Sequence, residues 1–159
     1  MEIKKFKWAD KYTVEFSTDE NDIKIATYEK PEKKLFKIMA DLMKVAFEYF
    51  GYVSEGTFYS LSITGKEDKN SRLVIEIPTK VLSEKARVSF PPVPMWTVFD
   101  KKMEPIPDHP RNIYNNVLRV FISQVEEFAS GARSQMVLPF DEESQAAADK
   151  ITKFPGMAK

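Results

Sequence analysis

Apolar and polar residues alternate with a period of two near the start of the chain. The alternation runs through residues 3–8 and 12–16, stops at the polar stretch 17–22 and resumes from Ile23 toward Tyr28. A period of two is typical of strands that bury one face and expose the other. The pattern therefore predicts a hairpin or small meander.

Two later stretches repeat their apolar residues at the spacing of an amphipathic helix. The first helix is predicted to start at Pro31 and to stop at Gly51, because proline suits the first helical position and glycine the C-terminal end. The second is predicted to begin within residues 108–111, with Pro110 in its first turn, and to end at Gly131. Its expected buried positions are Ile113, Val117, Val120, Phe121, Ile122, Val125 and Phe128.

Between these helices, residues 58–64 and 72–77 flank a turn-rich segment and predict a second hairpin. The alternation places Tyr59, Leu61 and Ile63 opposite a second apolar set, formed by Leu73, Ile75 and Ile77. Residues 86–90 are expected to add a strand, and the prolines after them predict a rigid loop that leads to the second helix.

Hairpins combined with helices, without strand-helix-strand alternation, predict the α+β class. We expect an antiparallel sheet of about five or six strands with two long amphipathic helices packed on one face. Residues 1–131 are expected to form a single α+β domain, and residues 132–159 an extended peptide and C-terminal tail.

Length and composition fit one folded domain. The chain has 159 residues, of which 43% are hydrophobic, and it has no cysteine. Disulfides, thiolate metal sites and a cysteine nucleophile are therefore excluded. Neither a signal peptide nor a membrane-spanning apolar run is found, so no membrane association and a cytoplasmic location are expected. The sequence leaves the oligomeric state open.

Charge decides how nucleic acid could be bound. The 24 basic residues balance 24 acidic ones, so binding to nucleic acid requires a local patch. One candidate patch interleaves aromatic and basic residues, which can form a stacking platform for single strands. It consists of Lys5, Phe6, Lys7, Trp8, Lys11 and Tyr12.

The same residues have a simpler interpretation, which the sequence favours. Strand alternation puts Phe6 and Trp8 on one face and the lysines on the other, as expected for a half-buried strand with a solvated back. Binding of nucleic acid is therefore the less favoured alternative.

Catalytic and metal-binding patterns are not found in the sequence, and no cofactor is expected. His109 is the single histidine, and its place between Asp108 and Pro110 suggests a residue of the helix-capping region rather than a general base. The five glycines form no phosphate-binding cluster.

The most informative segment is 135–140, which follows the predicted end of the second helix. Gln135 can form hydrogen bonds at the mouth of a cleft, while Leu138 and Phe140, with help from Met136, can fill an apolar pocket beyond it. Pro139 favours an extended backbone suited to a groove. An alternative is that these side chains fold back onto the protein's own core.

Residues 125–140 resemble the ending of a family of small phage and prophage proteins of unassigned activity. In that family an acidic helix leads through glycine and a basic residue into a glutamine-aliphatic-phenylalanine tail, similar to peptides that bind the bacterial DNA sliding clamp. The layout of residues 3–140 is also similar. This chain departs from the family by inserting Pro139 and by continuing for nineteen residues after Phe140.

The resemblance implies a non-enzymatic accessory protein that acts near replication or recombination, with the sliding clamp as partner and no catalytic residues. One alternative is a single-strand nucleic-acid-binding protein that uses the N-terminal sheet. Another is an interaction or inhibitor protein with a different host partner.

Overall fold

The computed structural model describes residues 1–52, 55–79 and 85–133. Within these ranges the chain forms one antiparallel sheet and two long helices, so the predicted α+β class is confirmed. The elements in chain order are β1 (Glu2–Trp8), β2 (Tyr12–Ser17), β3 (Asp22–Thr27), α1 (Lys33–Phe50), β4 (Thr57–Thr64), β5 (Asn70–Pro78), β6 (Lys85–Ser89), β7 (Val93–Pro94) and α2 (Pro110–Ala129).

Six strands lie side by side in the order β3-β2-β1-β4-β5-β6, and the short β7 pairs with the start of β5. Each neighbouring pair is antiparallel. The central strands β1 and β4 join an N-terminal meander, formed by β1 to β3, to a second meander, formed by β4 to β6. Strands β3 and β6 form the two edges of this row.

Helix α1 begins later than predicted. Its N-cap is Glu32, whose backbone is extended, so Pro31 lies outside the helix and the predicted start is wrong by two residues. The C-terminal end at Gly51 is confirmed. Gly51 has a φ of 63°, a left-handed conformation that glycine adopts without strain, and the cap N–H groups bond to the Phe47 and Glu48 carbonyls.

Helix α2 begins as predicted. Pro110 occupies its first turn, and His109 is the N-cap, where Nδ1 accepts a hydrogen bond of 3.2 Å from the Arg111 N–H. The imidazole therefore satisfies a backbone donor that the helix itself leaves unpaired. The expectation that His109 belongs to the capping region is confirmed.

The core lies between the helices and one face of the sheet. α1 and α2 run antiparallel, since Lys34 pairs with Glu127 at one end and Tyr49 contacts Tyr114 at the other. The ring of Phe6, at the centre of the sheet, lies within 6.1 Å of three other rings. The core side chains include Phe6, Val14, Leu35, Leu42, Phe58, Leu61, Leu73, Ile75, Leu118, Phe121, Val125 and Phe128.

The N-terminal half of α2 buries a different face from the one predicted. Ile113 and Val120 are 41% and 49% exposed, so their predicted burial is wrong. Asn112, Tyr114 and Asn115 are buried in that half instead. Leu118 completes this face, and a pattern of apolar residues cannot reveal it because two of its four members are amides.

Those two amides hold the proline-rich loop against α2. Asn112 exchanges two hydrogen bonds with the backbone of Val98 and donates a third to the Ile106 carbonyl. Asn115 donates to the Pro94 and Trp96 carbonyls. Buried amides that donate to backbone carbonyls fix a loop that has little regular structure of its own.

Candidate nucleic-acid interface

The two helices cover one face of the sheet, and we call the other side the open face. Side chains alternate between the two sides, so neighbours of the core residues Phe6, Leu73 and Ile75 point to the open face. Among the described residues no helix lies over this side. Both helices bury their apolar stripes against the opposite face.

Five cationic side chains project from the open face on strands β1, β5 and β6, and we call them the basic strip. Two of these residues and one serine show the arrangement, since Lys5 lies directly opposite Ser62, which lies opposite Arg72. Strands are about 4.8 Å apart, which places the backbones of Lys5 and Arg72 roughly 10 Å from each other. The basic strip consists of Lys5, Lys7, Arg72, Lys85 and Arg87.

Tyr59 lies beside the basic strip because of an irregularity in β4. The register between β4 and β5 shifts between Phe58 and Ser60, and this leaves Tyr59 without a paired residue, as in a β-bulge. Phe58 is buried in the core and Tyr59 is half-buried. The prediction that Tyr59 shares a buried face with Leu61 is therefore wrong, and the bulge is the reason.

The ring of Tyr59 is in contact with cations. The guanidinium carbon of Arg87 lies 3.9 Å from the ring centre, and the Nζ of Lys7 lies 5.3 Å from it. Both distances are in the range of a cation–π contact. A groove of about 470 Å³ runs past this cluster and is lined by Lys7, Trp8, Ala9, Asp10, Thr57, Phe58, Tyr59, Glu76, Lys85 and Arg87.

Nearby carboxylates neutralise only part of the positive charge of the basic strip. Glu76 pairs with Arg87, at 3.3 Å between oxygen and Nε, and Glu15 lies opposite Lys5 in the sheet register. Among the described residues no ion pair involves Lys7, Arg72 or Lys85.

Asp10 also lines the groove beside Tyr59, whereas Glu2 and Asp22 lie toward the far ends of β1 and β3. There a hydrogen bond from Lys4 and the nearby Lys69 hold the pKa of Glu2 below its usual value. Asp22 stands at the start of β3 and accepts a hydrogen bond from Ser17. The positive character of the open face is therefore concentrated around Tyr59.

Of the three N-terminal aromatic residues of the predicted patch, Trp8 alone borders this surface, where it lines the groove beside Tyr59. Phe6 is fully buried and Tyr12 is 7% exposed, so neither ring presents a face to a base in this structure. Trp8 is half-buried and packs on Tyr12 and Phe36. The favoured interpretation of a half-buried strand is confirmed, with Lys5 and Lys7 on its solvated side.

Lys11 is exposed in the turn between β1 and β2. The peptide candidates Gln135, Met136, Leu138 and Phe140 lie outside the described residues. The last described residue, Arg133, is positioned at the end of α2. Its guanidinium lies 4.0 Å from the centre of the Phe128 ring and pairs with Glu29.

Tyr59, Arg72, Lys85 and Arg87 are the surface residues that sequence reasoning missed. Arg72 and Arg87 each alternate with apolar neighbours in strands β5 and β6, and that alternation is the signal that could have placed them on the solvated side. No comparable signal existed for Tyr59, because alternation in β4 places it with the core.

Other chemistries find little support in the described part of the chain. It contains no cluster of three or more histidine, aspartate or glutamate side chains able to hold a metal ion. A cleft of about 590 Å³ beside α1 is mainly apolar and offers only Lys44 and Glu48 as charged groups. Neither described helix is long and apolar enough to cross a membrane.

No family model, curated protein or solved structure matches this chain. The resemblance to the phage and prophage family stays a prediction.

Proposed function

We propose that this protein binds single-stranded nucleic acid on the open face of its sheet. The observation that carries the proposal is the basic strip around Tyr59 on a sheet side that no described helix covers. The sequence suggested single-strand binding by the N-terminal sheet as an alternative function. The present proposal differs from it in the aromatic residue and in the set of cations.

The geometry favours a single strand over a duplex. A flexible strand can lay its phosphates along cations that are spread over neighbouring β-strands and turn its bases toward the sheet. Ser62 of β4 adds a hydroxyl group between two cations, since it lies opposite both Lys5 and Arg72. The groove beside Tyr59 supplies room for one unstacked base.

Charge removal on the two sides of the sheet tests this assignment. The variant Lys5→Gln with Arg72→Gln removes two charges from the open face. The matched control, Lys33→Gln with Lys37→Gln, removes two charges from exposed positions of α1. Affinity for a labelled oligonucleotide, measured by fluorescence anisotropy, is expected to fall about tenfold or more in the first variant, which is about 1.4 kcal/mol.

The control is expected to bind as the wild type does, because its lysines lie on the helix side. An equal loss of affinity in both variants would show that total charge, rather than the open face, governs binding. Circular dichroism of both variants confirms that the fold is retained.

A second candidate function is binding of the bacterial sliding clamp through Gln135, Met136, Leu138 and Phe140. The supporting observation is the place of Gln135 in the chain, two residues after Arg133. Arg133 follows the C-terminal end of α2 and contacts Phe128 and Glu29. Phe128 is the last described member of the buried core.

Calorimetry with purified clamp tests this candidate. Leu138→Ala with Phe140→Ala is expected to cost about 2 kcal/mol or more of a roughly micromolar affinity. The control variant, Ile151→Ala with Phe154→Ala, truncates an equivalent pair further along the chain. An unchanged affinity in the first variant, or an equal loss in the control, would rule out the assigned anchors.

A further inference from the structure

Strand β3 forms an edge of the sheet, and the hydrogen-bond pattern shows which of its backbone groups face outward. The Thr18 N–H donates to the Asn21 carbonyl at 2.8 Å, which makes these two residues a hydrogen-bonded pair at the end of the β2–β3 hairpin. Hydrogen-bonded and non-hydrogen-bonded pairs alternate along an antiparallel ladder. From the register, Ile23, Ile25 and Thr27 must therefore bond to β2.

The residues between them, Asp22, Lys24 and Ala26, direct their N–H and C=O groups away from β2. The β1–β2 hairpin gives the same result independently. The hydrogen bond that closes this hairpin runs from the Ala9 N–H to the Lys11 carbonyl. By the same alternation, every second residue of β2 bonds to β1. The other residues of β2, Tyr12, Val14 and Phe16, therefore bond to β3. Within the described chain, the outward groups of β3 face no further strand.

Exposed apolar side chains accompany this free edge. Ile23 is 37% exposed and Tyr28, which directly follows the strand, is 74% exposed. The pairing of β2 with β3 has no register shift, and β3 contains no proline. Natural proteins commonly block an exposed edge with prolines or bulges, because a straight edge with apolar neighbours recruits another strand. In β3 the edge is protected only by two exposed charged residues, Asp22 at its start and Lys24 within it.

We propose that β3 pairs with β3 of a second copy of this chain, antiparallel and centred on Ile25. In this register Lys24 lies opposite Ala26 of the second copy, and Asp22 lies opposite its Tyr28. All outward-facing N–H and C=O groups of β3 then have hydrogen-bond partners. Ile23 lies opposite Thr27 of the second copy. The neighbouring register centred on Lys24 would place two lysines directly opposite each other, which is unfavourable.

A two-fold axis perpendicular to the sheet relates the strands of such a pair. The two sheets become one continuous sheet, with both open faces on the same side. The basic strips of the two copies would then serve one binding surface. The dimer does not depend on the proposed function, because only the edge of β3 carries it.

Disulfide trapping is a clean test because the chain has no cysteine. In the proposed register Ile25 faces itself as a non-hydrogen-bonded pair, with Cα atoms about 4.5 Å apart, which a disulfide can bridge. Ile25→Cys is expected to form a covalent dimer on mild oxidation. Ile23→Cys is the matched control, and it should remain monomeric on denaturing gels because its partner position is Thr27.

A proline in the edge strand β3 tests the same interface without introducing a thiol. Ala26→Pro removes an N–H that faces away from β2, so the fold is expected to survive while dimerisation weakens at least tenfold. Ala26→Thr keeps the N–H and is expected to dimerise as the wild type does. Sedimentation velocity over a range of protein concentrations measures both.

Three results would overturn the proposal. The first is a wild-type protein that stays monomeric up to roughly millimolar concentration. The second is a dimer that Ala26→Pro leaves unchanged while circular dichroism shows a native fold. The third is a disulfide that forms in Ile23→Cys but not in Ile25→Cys, since it would show a different pairing.

Discussion

The guanidinium of Arg87 lies against the ring of Tyr59, 3.9 Å from its centre, and also pairs with Glu76. The contact orients an aromatic ring on a sheet side that is otherwise charged and polar. The Nζ of Lys7 also lies over this ring, at 5.3 Å from its centre, so a base that stacks on Tyr59 would share the ring with these cations. The bulge between Phe58 and Ser60 is what brings the ring to this position.

Replacing the ring of Tyr59 tests its role as a stacking surface. Tyr59→Leu is expected to weaken binding of a short oligonucleotide by about tenfold, because stacking on an aromatic residue contributes about 1–3 kcal/mol per base. Tyr59→Phe keeps the ring and is expected to bind as the wild type does. Equal affinities for the leucine and phenylalanine variants would exclude stacking on this residue.

Removing the Asn112 amide is expected to destabilise the fold. Asn112→Ala breaks three hydrogen bonds and leaves polar groups of Val98 and Ile106 without partners. The expected cost in the free energy of unfolding is about 3 kcal/mol. Urea denaturation measures it against Asn116→Ala, a control at an exposed position of the same helix, where a change within about 0.5 kcal/mol is expected. Similar values for the two variants would refute the structural role of the buried amide.

Two glycines with positive φ are expected to respond differently to alanine. At Gly51 an added Cβ meets no atom within 4 Å, so Gly51→Ala is expected to cost about 1 kcal/mol from backbone strain alone. At Gly65, with a φ of 86°, the added Cβ would overlap the Asp68 carbonyl oxygen. Gly65→Ala is expected to cost about 3 kcal/mol. Urea denaturation of the two variants compares these costs, and a larger loss for Gly51→Ala would contradict the account of both turns.

The buried phenol of Tyr114 predicts how stability changes at alkaline pH. Burial raises the pKa of Tyr114 from 10.0 to about 12, with the nearby Ser71 side chain opposing part of the rise. Since the folded-state pKa is the higher one, the related stability is complete below pH 10 and is lost as the pH rises from about 10 to 12. The loss attributable to this group reaches about 3 kcal/mol.

Tyr114→Phe isolates this effect because phenylalanine does not titrate. The difference in unfolding free energy between the wild type and Tyr114→Phe is expected to be constant up to pH 10 and to shift in favour of the variant above it. Denaturation series at several pH values measure this difference. A difference that does not change between pH 8 and 12 would contradict the assigned burial of the hydroxyl.

Elements fixed by local rules could be predicted from the sequence. Gly51 ends α1 and Pro110 starts α2 because glycine and proline restrict the backbone in known ways. The alternation in β1 separated Phe6 from Lys5 and Lys7 correctly, since one face of a half-buried strand must be apolar.

Features that depend on contacts between distant segments could not be predicted in this way. The burial of Asn112 and Asn115 depends on backbone carbonyls of a loop that the helix pattern does not include. The bulge that turns Tyr59 outward leaves no mark in the apolar pattern of β4. The basic strip is assembled from strands β1, β5 and β6, so its charges come together only once the order of the strands is known.

The salt dependence of binding tests the central claim most directly. For single strands, the logarithm of the binding constant falls with the logarithm of salt concentration with a slope of about −0.7 per phosphate contact. The slope measured for the wild type is therefore expected to become shallower by about 1.4 in Lys5→Gln with Arg72→Gln. It is expected to remain unchanged in Lys33→Gln with Lys37→Gln. Undetectable binding at low ionic strength, or identical slopes in all three proteins, would contradict a nucleic-acid interface on the open face.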